Sequence, residues 1–245
     1  MKALASDLDG TLFFQDLPGN FKDGDLKGIR QFQENGHLFG LCTGRPYSGV
    51  VQGAIDYDFC IVSSGALILD KDGVVLYEQC IDYRTVKRIF MDFQEEVHLY
   101  VQANKRMYTL KKGRFPLEQI EITSVEDLEG YSIQGISIDA GNQKIASIIT
   151  KRINEKYGRL VEAFQNVECV DIVKKGCSKG AALEFYKKQM HIRQLCGIGD
   201  SYNDIPMLES VDYAFTFNHA PESLKIHADR LVDSVAQALE IVSEN

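Results

Sequence analysis

Apolar and polar residues alternate along this chain in two rhythms, and the rhythm changes twice. Ala3 to Ser6 is a short, mostly apolar run stopped by Asp7, which predicts a buried strand feeding a loop. Leu26, Ile29 and Phe32 recur three apart and Gly36 follows, so residues 25–35 read as an amphipathic helix with a glycine stop. His37 to Cys42 and Phe59 to Val62 predict two further strands, ended by Thr43-Gly44-Arg45 and by Ser63-Ser64-Gly65. Leu67–Leu69 and Val74–Tyr77 flank Asp70-Lys71-Asp72-Gly73, a hairpin signal.

Near residue 83 the pattern shifts. Thr85 to Glu96 reads as a helix, and Val97–Gln102 and Met107–Leu110 as antiparallel strands. Ser132 to Asp139 alternates polar and apolar residues, as expected of a sheet with one wet face. Gln143–Tyr157 is helical in pattern, and Leu160–Phe164 and Cys169–Val173 are strand-like.

Strand and helix alternate again after residue 177. Lys179–Met190, Asp204–Glu209, Pro221–His227 and Val235–Val242 read as helices, and Leu195–Ile198 and Tyr213–Phe217 as strands. Such alternation implies a parallel sheet covered on both faces. The predicted fold class is α/β: a doubly wound, Rossmann-like parallel-sheet core with an inserted α+β cap. Residues 1–82 and 177–245 form the core, and residues 83–176 the insertion.

Composition narrows the function classes. The 245 residues are 44% hydrophobic and 25% charged, with 20 Gly and 5 Pro, as in ordinary globular proteins. The net charge is -8 and no run of Lys/Arg reaches five, so a nucleic-acid partner is not expected. Cysteines at 42, 60, 80, 169, 177 and 196 form no C-x-x-C pair, which disfavours a zinc site or disulfide framework. Asp7 interrupts the first apolar run too early for a signal peptide, and no apolar stretch is long enough to span a membrane. A cytoplasmic location is expected.

Four polar clusters each follow a predicted core strand: Asp7/Asp9, Thr43-Gly44-Arg45, Ser63-Ser64-Gly65, and Asp200 with Asn203-Asp204. Ligands of open α/β sheets bind beyond the carboxyl ends of the strands, so four strands would deliver these groups to one crevice. Taken singly, each cluster also fits a capped turn. Asp7, Asp200 and Asp204 offer hard oxygen ligands with no Cys or His nearby, a set suited to Mg²⁺. Asp7 and Asp9 would repel each other without a cation, and Lys179, opening a helix, supplies one.

Asp7-Leu8-Asp9-Gly10-Thr11, followed by Leu12, resembles the nucleophile motif of the haloacid dehalogenase (HAD) superfamily. Thr43 in Cys-Thr-Gly-Arg, Lys179, and Gly199-Asp200-Ser201-Tyr202-Asn203-Asp204 match its other motifs in order. The place and size of the insertion resemble the second cap class, and within it the Cof-type phosphatases. The resemblance covers essentially the whole chain. It implies a Mg²⁺-dependent phosphatase acting on small phosphorylated metabolites such as sugar phosphates, through an aspartyl-phosphate on Asp7. Asp9 would be the general acid/base. Asp7, Asp9 (through its carbonyl), Asp200 and Asp204 would hold the metal. Leu8 (through its backbone), Thr43, Gly44, Lys179 and Asn203 would hold the phosphoryl group. Asp at position 9, where the related cation pumps have Thr, implies rapid breakdown of the intermediate. A phosphotransferase or phosphomutase using the same intermediate, or an inactive binding module on this fold, stays open.

Two departures stand out. Ser64 replaces the Asn usual after the third strand, and Asn218-His219 replaces Gly-Asn near the C-terminus. Tyr100, Gln102, Arg106, Tyr108, Lys111, Lys112 and Arg114 are the polar candidates in the cap for meeting the substrate.

Overall fold

The computed structural model describes residues 1–50 and 55–244. Among these residues the strands form two sheets. In chain order the strands are β1 (Lys2–Ser6), β2 (Leu38–Cys42), β3 (Phe59–Val62), β4 (Leu67–Asp70) and β5 (Val75–Glu78); then β6 (His98–Ala103), β7 (Arg106–Thr109), β8 (Ile120–Glu121), β9 (Ile133–Asp139), β10 (Val161–Asn166) and β11 (Cys169–Lys174); then β12 (Gln194–Ile198), β13 (Tyr213–Phe217) and β14 (Arg230–Val232). The helices are α1 (Asp23–Glu34), α2 (Tyr83–Phe93), α3 (Gln143–Tyr157), α4 (Lys179–Gln189), α5 (Ile205–Ser210), α6 (Glu222–Lys225) and α7 (Val235–Glu244).

The larger sheet runs β14-β13-β12-β1-β2-β3-β4-β5. It is parallel from β14 to β3, and the β4–β5 hairpin adds an antiparallel edge. β1 is buried along its whole length, as a central strand sandwiched by helices must be. Helices cover both faces, so the class is α/β as the alternation predicts. Phe59 stacks on Tyr186 of α4 at 4.1 Å between centroids, adding an aromatic contact to the apolar area buried there.

The second sheet runs β10-β11-β9-β6-β7-β8. Its pairs are antiparallel except β7 with β8. Ile136, Ile138, Val170 and Ile172 pack with Val86 and Phe90 of α2 and Ile149 of α3 in an apolar core separate from that of the larger sheet.

The expected wet face of 132–139 needs correcting. β9 is buried from Ile133 through Ile138. Its helix side is apolar, and its other side is polar but covered, because it lies over the carboxyl ends of the larger sheet. The 204–209 helix also starts differently: Tyr202–Asp204 forms a 3₁₀ turn and α5 begins at Ile205. The short strands β8 and β14 carry too few residues to show a period. No helix of the described residues is long and apolar enough to cross a membrane.

Candidate active site

The loop after β1 is shaped by its own hydrogen bonds. Asp7 N–H donates to the Ile198 carbonyl at 2.9 Å, continuing the β1–β12 ladder by one residue. Leu12 and Phe13 N–H both return to the Leu8 carbonyl, at 3.0 and 2.7 Å, and close the turn. Gly10 sits at φ +82, and a Cβ there would lie 2.6 Å from Asp200 Oδ2. Glycine is therefore needed both for the left-handed turn and for the approach of Asp200. Thr11 Oγ1 then donates to Asp200 Oδ1 at 2.8 Å.

Asp7, Asp200 and Asp204 present carboxylate oxygens within 4.8 Å of one another. Lys179, buried at the first turn of α4, donates 2.6 Å bonds to both Asp7 Oδ1 and Asp204 Oδ1. Asp204 Oδ2 accepts from the N–H groups of Asp200 and Ser201, both at 3.0 Å, so one side chain caps the 3₁₀ turn and belongs to the cluster. Three acids facing one ammonium are short of positive charge. Burial and then the Asp204 charge push the Asp7 carboxyl well above the ordinary range. The same two causes raise Asp200 to about 6. Burial pulls Lys179 down, but Asp204 and Asp7 outweigh it and hold the ammonium well above its usual value.

Asp9 points away from this cluster, toward a second cation. Arg45 Nε donates to Asp9 Oδ2 at 2.8 Å, and Nη2 grips Oδ1. The guanidinium is steadied by a 2.9 Å bond from Nη1 to the Gly49 carbonyl and by the Phe13 ring 4.8 Å below it. Thr43, buried at the end of β2, accepts from the Arg45 N–H through Oγ1 at 3.2 Å. Asn203 Oδ1 accepts from Ser201 Oγ at 2.5 Å.

The second sheet roofs these groups. Tyr100, Ser137 and Asp171 form one cross-strand row on β6, β9 and β11. Gln102 Nε2 reaches down to the Gly44 carbonyl at 2.9 Å and sideways to Ser137 Oγ at 2.8 Å. Ser137 Oγ donates to Asp171 Oδ1 at 3.1 Å, and Ser64 Oγ, from the turn after β3, donates to Oδ2 at 3.2 Å. Ser63 and Ser64 both hold φ +51, a left-handed pair that turns the Ser64 hydroxyl toward the roof. Burial raises the Asp171 carboxyl, while the Ser137 hydrogen bond, the Lys179 charge and the Ser64 hydrogen bond work against it. Between roof and floor lies a cavity of about 310 Å³, lined by Asp7, Asp9, Thr43, Gly44 and Asn203 below and by Gln102, Ser137 and Asp171 above. It has the size and mixed lining of a small-molecule site.

Residues 4–239 match the model of the haloacid dehalogenase-like hydrolase family. The chain belongs to that family. It is 23% identical over 234 residues to an HMP-PP phosphatase of Yersinia enterocolitica, spanning 90% of this chain and 85% of that protein. Its fold is similar to that of a haloacid dehalogenase-like hydrolase from B. subtilis, with TM-score 0.86, 22% identity, and coverage of 97% and 96% of the two chains. It is also similar to a HAD subclass IIB sugar phosphatase, with TM-score 0.83, 18% identity and 99% coverage of both chains.

For a HAD-like hydrolase the sequence-predicted groups fall into two tiers. Asp7, Asp9, Thr43, Gly44 and Asn203 line the cavity. Lys179 and Asp204 lie buried behind Asp7, with Asp200 beside them. Leu8 turns its side chain into the apolar core, so its backbone alone faces the loop. Of the polar residues suggested for the roof, only Gln102 is among the described lining residues. Tyr100 packs between the tilted rings of His98 and Phe115, Tyr108 packs into the apolar core of the second sheet, and Arg114 is paired with Asp139 and Glu168. Arg106, Lys111 and Lys112 are exposed. His219 stacks on Phe217, and Asn218 Nδ2 donates to Asp233 Oδ1 at 2.6 Å; neither is among the described lining residues.

Reading the sequence missed Arg45 as a partner of Asp9 and Asp171 as a roof residue. Arg45 was visible within Thr43-Gly44-Arg45, and the expected repulsion between Asp7 and Asp9 called for a second cation. Asp171 left a signal too, as a charge inside an apolar run, Cys169-Val170-Asp171-Ile172-Val173.

Proposed function

We propose that this HAD-like hydrolase is a phosphatase of small phosphorylated metabolites, working through an aspartyl-phosphate on Asp7. The observation that carries the reading is the separation of the two aspartates: Asp7 is held by Lys179 within the acid cluster, and Asp9 by Arg45 at the cavity. Two acids two residues apart thus have different partners and suit different tasks. The names of the similar proteins, HMP-PP phosphatase and sugar phosphatase, support the same class.

The donor set fits Mg²⁺. Asp7, Asp200 and Asp204 are hard oxygen ligands close together, and their excess negative charge calls for a cation. These three side chains, with the Asp9 carbonyl, would hold it. Bound there, the ion would offset the repulsion between carboxylate and phosphate.

In the first step an Asp7 carboxylate oxygen attacks phosphorus, and the phosphorus–oxygen bond to the leaving group breaks. Lys179 fixes Oδ1, which leaves Oδ2 as the attacking atom. Asp9 gives its proton to the departing oxygen. In the second step Asp9 takes a proton from water, the water oxygen attacks phosphorus, and inorganic phosphate leaves while Asp7 is regenerated. Thr43 Oγ1, the Gly44 and Leu8 N–H groups and Asn203 hold the phosphoryl oxygens throughout, and Lys179, behind Asp7, adds its positive charge from below. The second sheet, residues 83–176, acts as the cap that excludes water and meets the leaving group. The free cysteines suit a reducing, cytoplasmic setting.

Rapid-quench trapping of acid-stable, alkali-labile phosphate on the protein tests this. Asp7→Asn should trap none. Asp9→Asn should accumulate it from an activated ester, whose leaving group needs no proton. Labelled protein in the Asp7 variant would overturn the assignment.

A further inference from the structure

The roof of the cavity carries an unusual charge. Asp171 is 6% exposed and Gln102 3% exposed, and both line the cavity. The Asp171 carboxylate has neutral hydrogen-bond partners: Ser137 at 3.1 Å, Ser64 at 3.2 Å and Asn166 at 3.5 Å. A buried charge without an ion-pair partner costs free energy, and a simple latch to these neutral donors would be served by an amide. A carboxylate offers about four acceptor positions, so it keeps capacity for a further donor. Gln102 spends both described donor bonds of its amide on Gly44 and Ser137. Its Oε1 is buried and has no partner among the described residues. Two side chains of the cavity lining, Asp171 and Gln102, thus carry acceptor capacity that the described residues do not fill.

The rest of the lining fits the same ligand chemistry. The cap adds the apolar surfaces of Met107, Phe115 and Leu117, and one further charge, Glu168, already paired with Arg114 at 2.9 Å. No lysine or arginine of the cap is among the described lining residues. The one arginine at the wall, Arg45, comes from the core and is paired with Asp9. A leaving group with a carboxylate or second phosphate would meet acceptors and negative charge. One with hydroxyl or amino hydrogens would bring donors to a wall rich in acceptors.

We propose that Asp171 and Gln102 are the specificity determinants of this site: they accept hydrogen bonds from donors on the leaving group and turn away a leaving group with a second negative charge. This rests on the phosphatase reading above.

A matched pair of esters tests it. Glycerol 3-phosphate and 3-phosphoglycerate differ in replacing a hydroxymethyl by a carboxylate, and phenyl phosphate has neither group. The native enzyme should prefer the glycerol ester. Asp171→Asn should lower the ratio of kcat/KM for glycerol ester over glycerate ester about tenfold or more, the size expected for a hydrogen bond to a charged group. Gln102→Met, which leaves the charge in place, should lower the ratio through the glycerol ester. Phenyl phosphate turnover reports that each variant is folded. If the native enzyme hydrolyses none of the three esters, the phosphatase reading fails and takes this one with it. If it hydrolyses them and Asp171→Asn slows all three alike, Asp171 is a latch between roof and floor, and this inference alone is overturned.

Discussion

Arg45 meets Asp9 through both carboxylate oxygens, with Nε 2.8 Å from Oδ2 and Nη2 on Oδ1. The two side chains differ in exposure, 11% for Arg45 and 51% for Asp9, so the guanidinium is the fixed partner and the carboxylate the one that faces the cavity. A planar fork sets direction as well as charge, which a lysine cannot do.

This relationship gives the first prediction. Without the fork, Asp9 keeps its chemistry but loses its aim, and misplacing a general base costs rate. Arg45→Met should slow breakdown of the phosphoenzyme by about tenfold or more. Rapid-quench labelling should therefore find a larger phosphorylated fraction at steady state. Arg45→Lys should recover a minor part. A smaller phosphorylated fraction in Arg45→Met would place the arginine in the first step instead.

The second prediction concerns the acid cluster. Asp200 is raised to about 6 by burial and by Asp204, so at neutral pH its charge opposes folding while no cation is bound. Asp200→Asn keeps a group able to accept from Thr11 and removes the charge. The metal-free variant should melt higher than the native protein. Mg²⁺ should raise the melting temperature of the native protein by binding the folded state, and this gain should shrink or vanish in the variant. A scan with and without chelator gives both readings. A variant with a full Mg²⁺ shift would show that Asp200 is no ligand.

Much of this arrangement is legible in the sequence, for reasons that differ from residue to residue. β1, β3 and β13 are apolar runs cut by polar residues, and their limits could be read closely. Asp7, Lys179 and Asp204 lie far apart in sequence and meet because each follows or opens an element on the same edge of the sheet. The polar alternation of 132–139 marks two faces, yet neither is solvated, because periodicity tells faces apart without saying what covers them. Ser64 is visible in the sequence as a departure, but its partner Asp171 stands 107 positions later and is brought to 3.2 Å only by the fold.

A third prediction leaves the site. Asp25 of α1 is buried, and its Oδ1 accepts from the Ala236 N–H at 2.7 Å, in the first turn of α7. Its Oδ2 has no partner among the described residues. Burial raises its carboxyl above the ordinary carboxylate value despite that hydrogen bond. The folded state therefore binds this proton more tightly than the unfolded chain does. Stability from this group is greatest in acid and is lost as pH rises through the ordinary carboxylate range to the raised value. Asp25→Asn should flatten that decline and raise stability at neutral pH, as urea unfolding across the range would measure. A steeper decline in the variant would mean that the carboxylate stabilises α7 more than its burial costs.

The last prediction joins floor and roof. Gly44 looks at first like a phosphate-loop glycine, kept small so that its N–H can approach an anion. The cavity gives another reason. A Cβ on Gly44 would lie 2.6 Å from Asp171 Oδ2 and 3.2 Å from Ser64 Oγ, so a methyl group would strike the roof before it touched a ligand. Asp171 is held on three sides and has little room to retreat. Gly44→Ala should therefore lower stability by about 1–3 kcal/mol, the usual cost of overpacking, and reduce turnover as the roof lifts. Asp171→Ser shortens the opposing side chain and removes the clash. In the double variant the methyl group fits, so the two changes should be non-additive, with a coupling of about 1 kcal/mol in favour of the pair. Urea unfolding of the native protein, both single variants and the double variant closes the cycle. Strict additivity would show that Gly44 is small for the sake of the ligand alone, and that the contact with Asp171 is incidental.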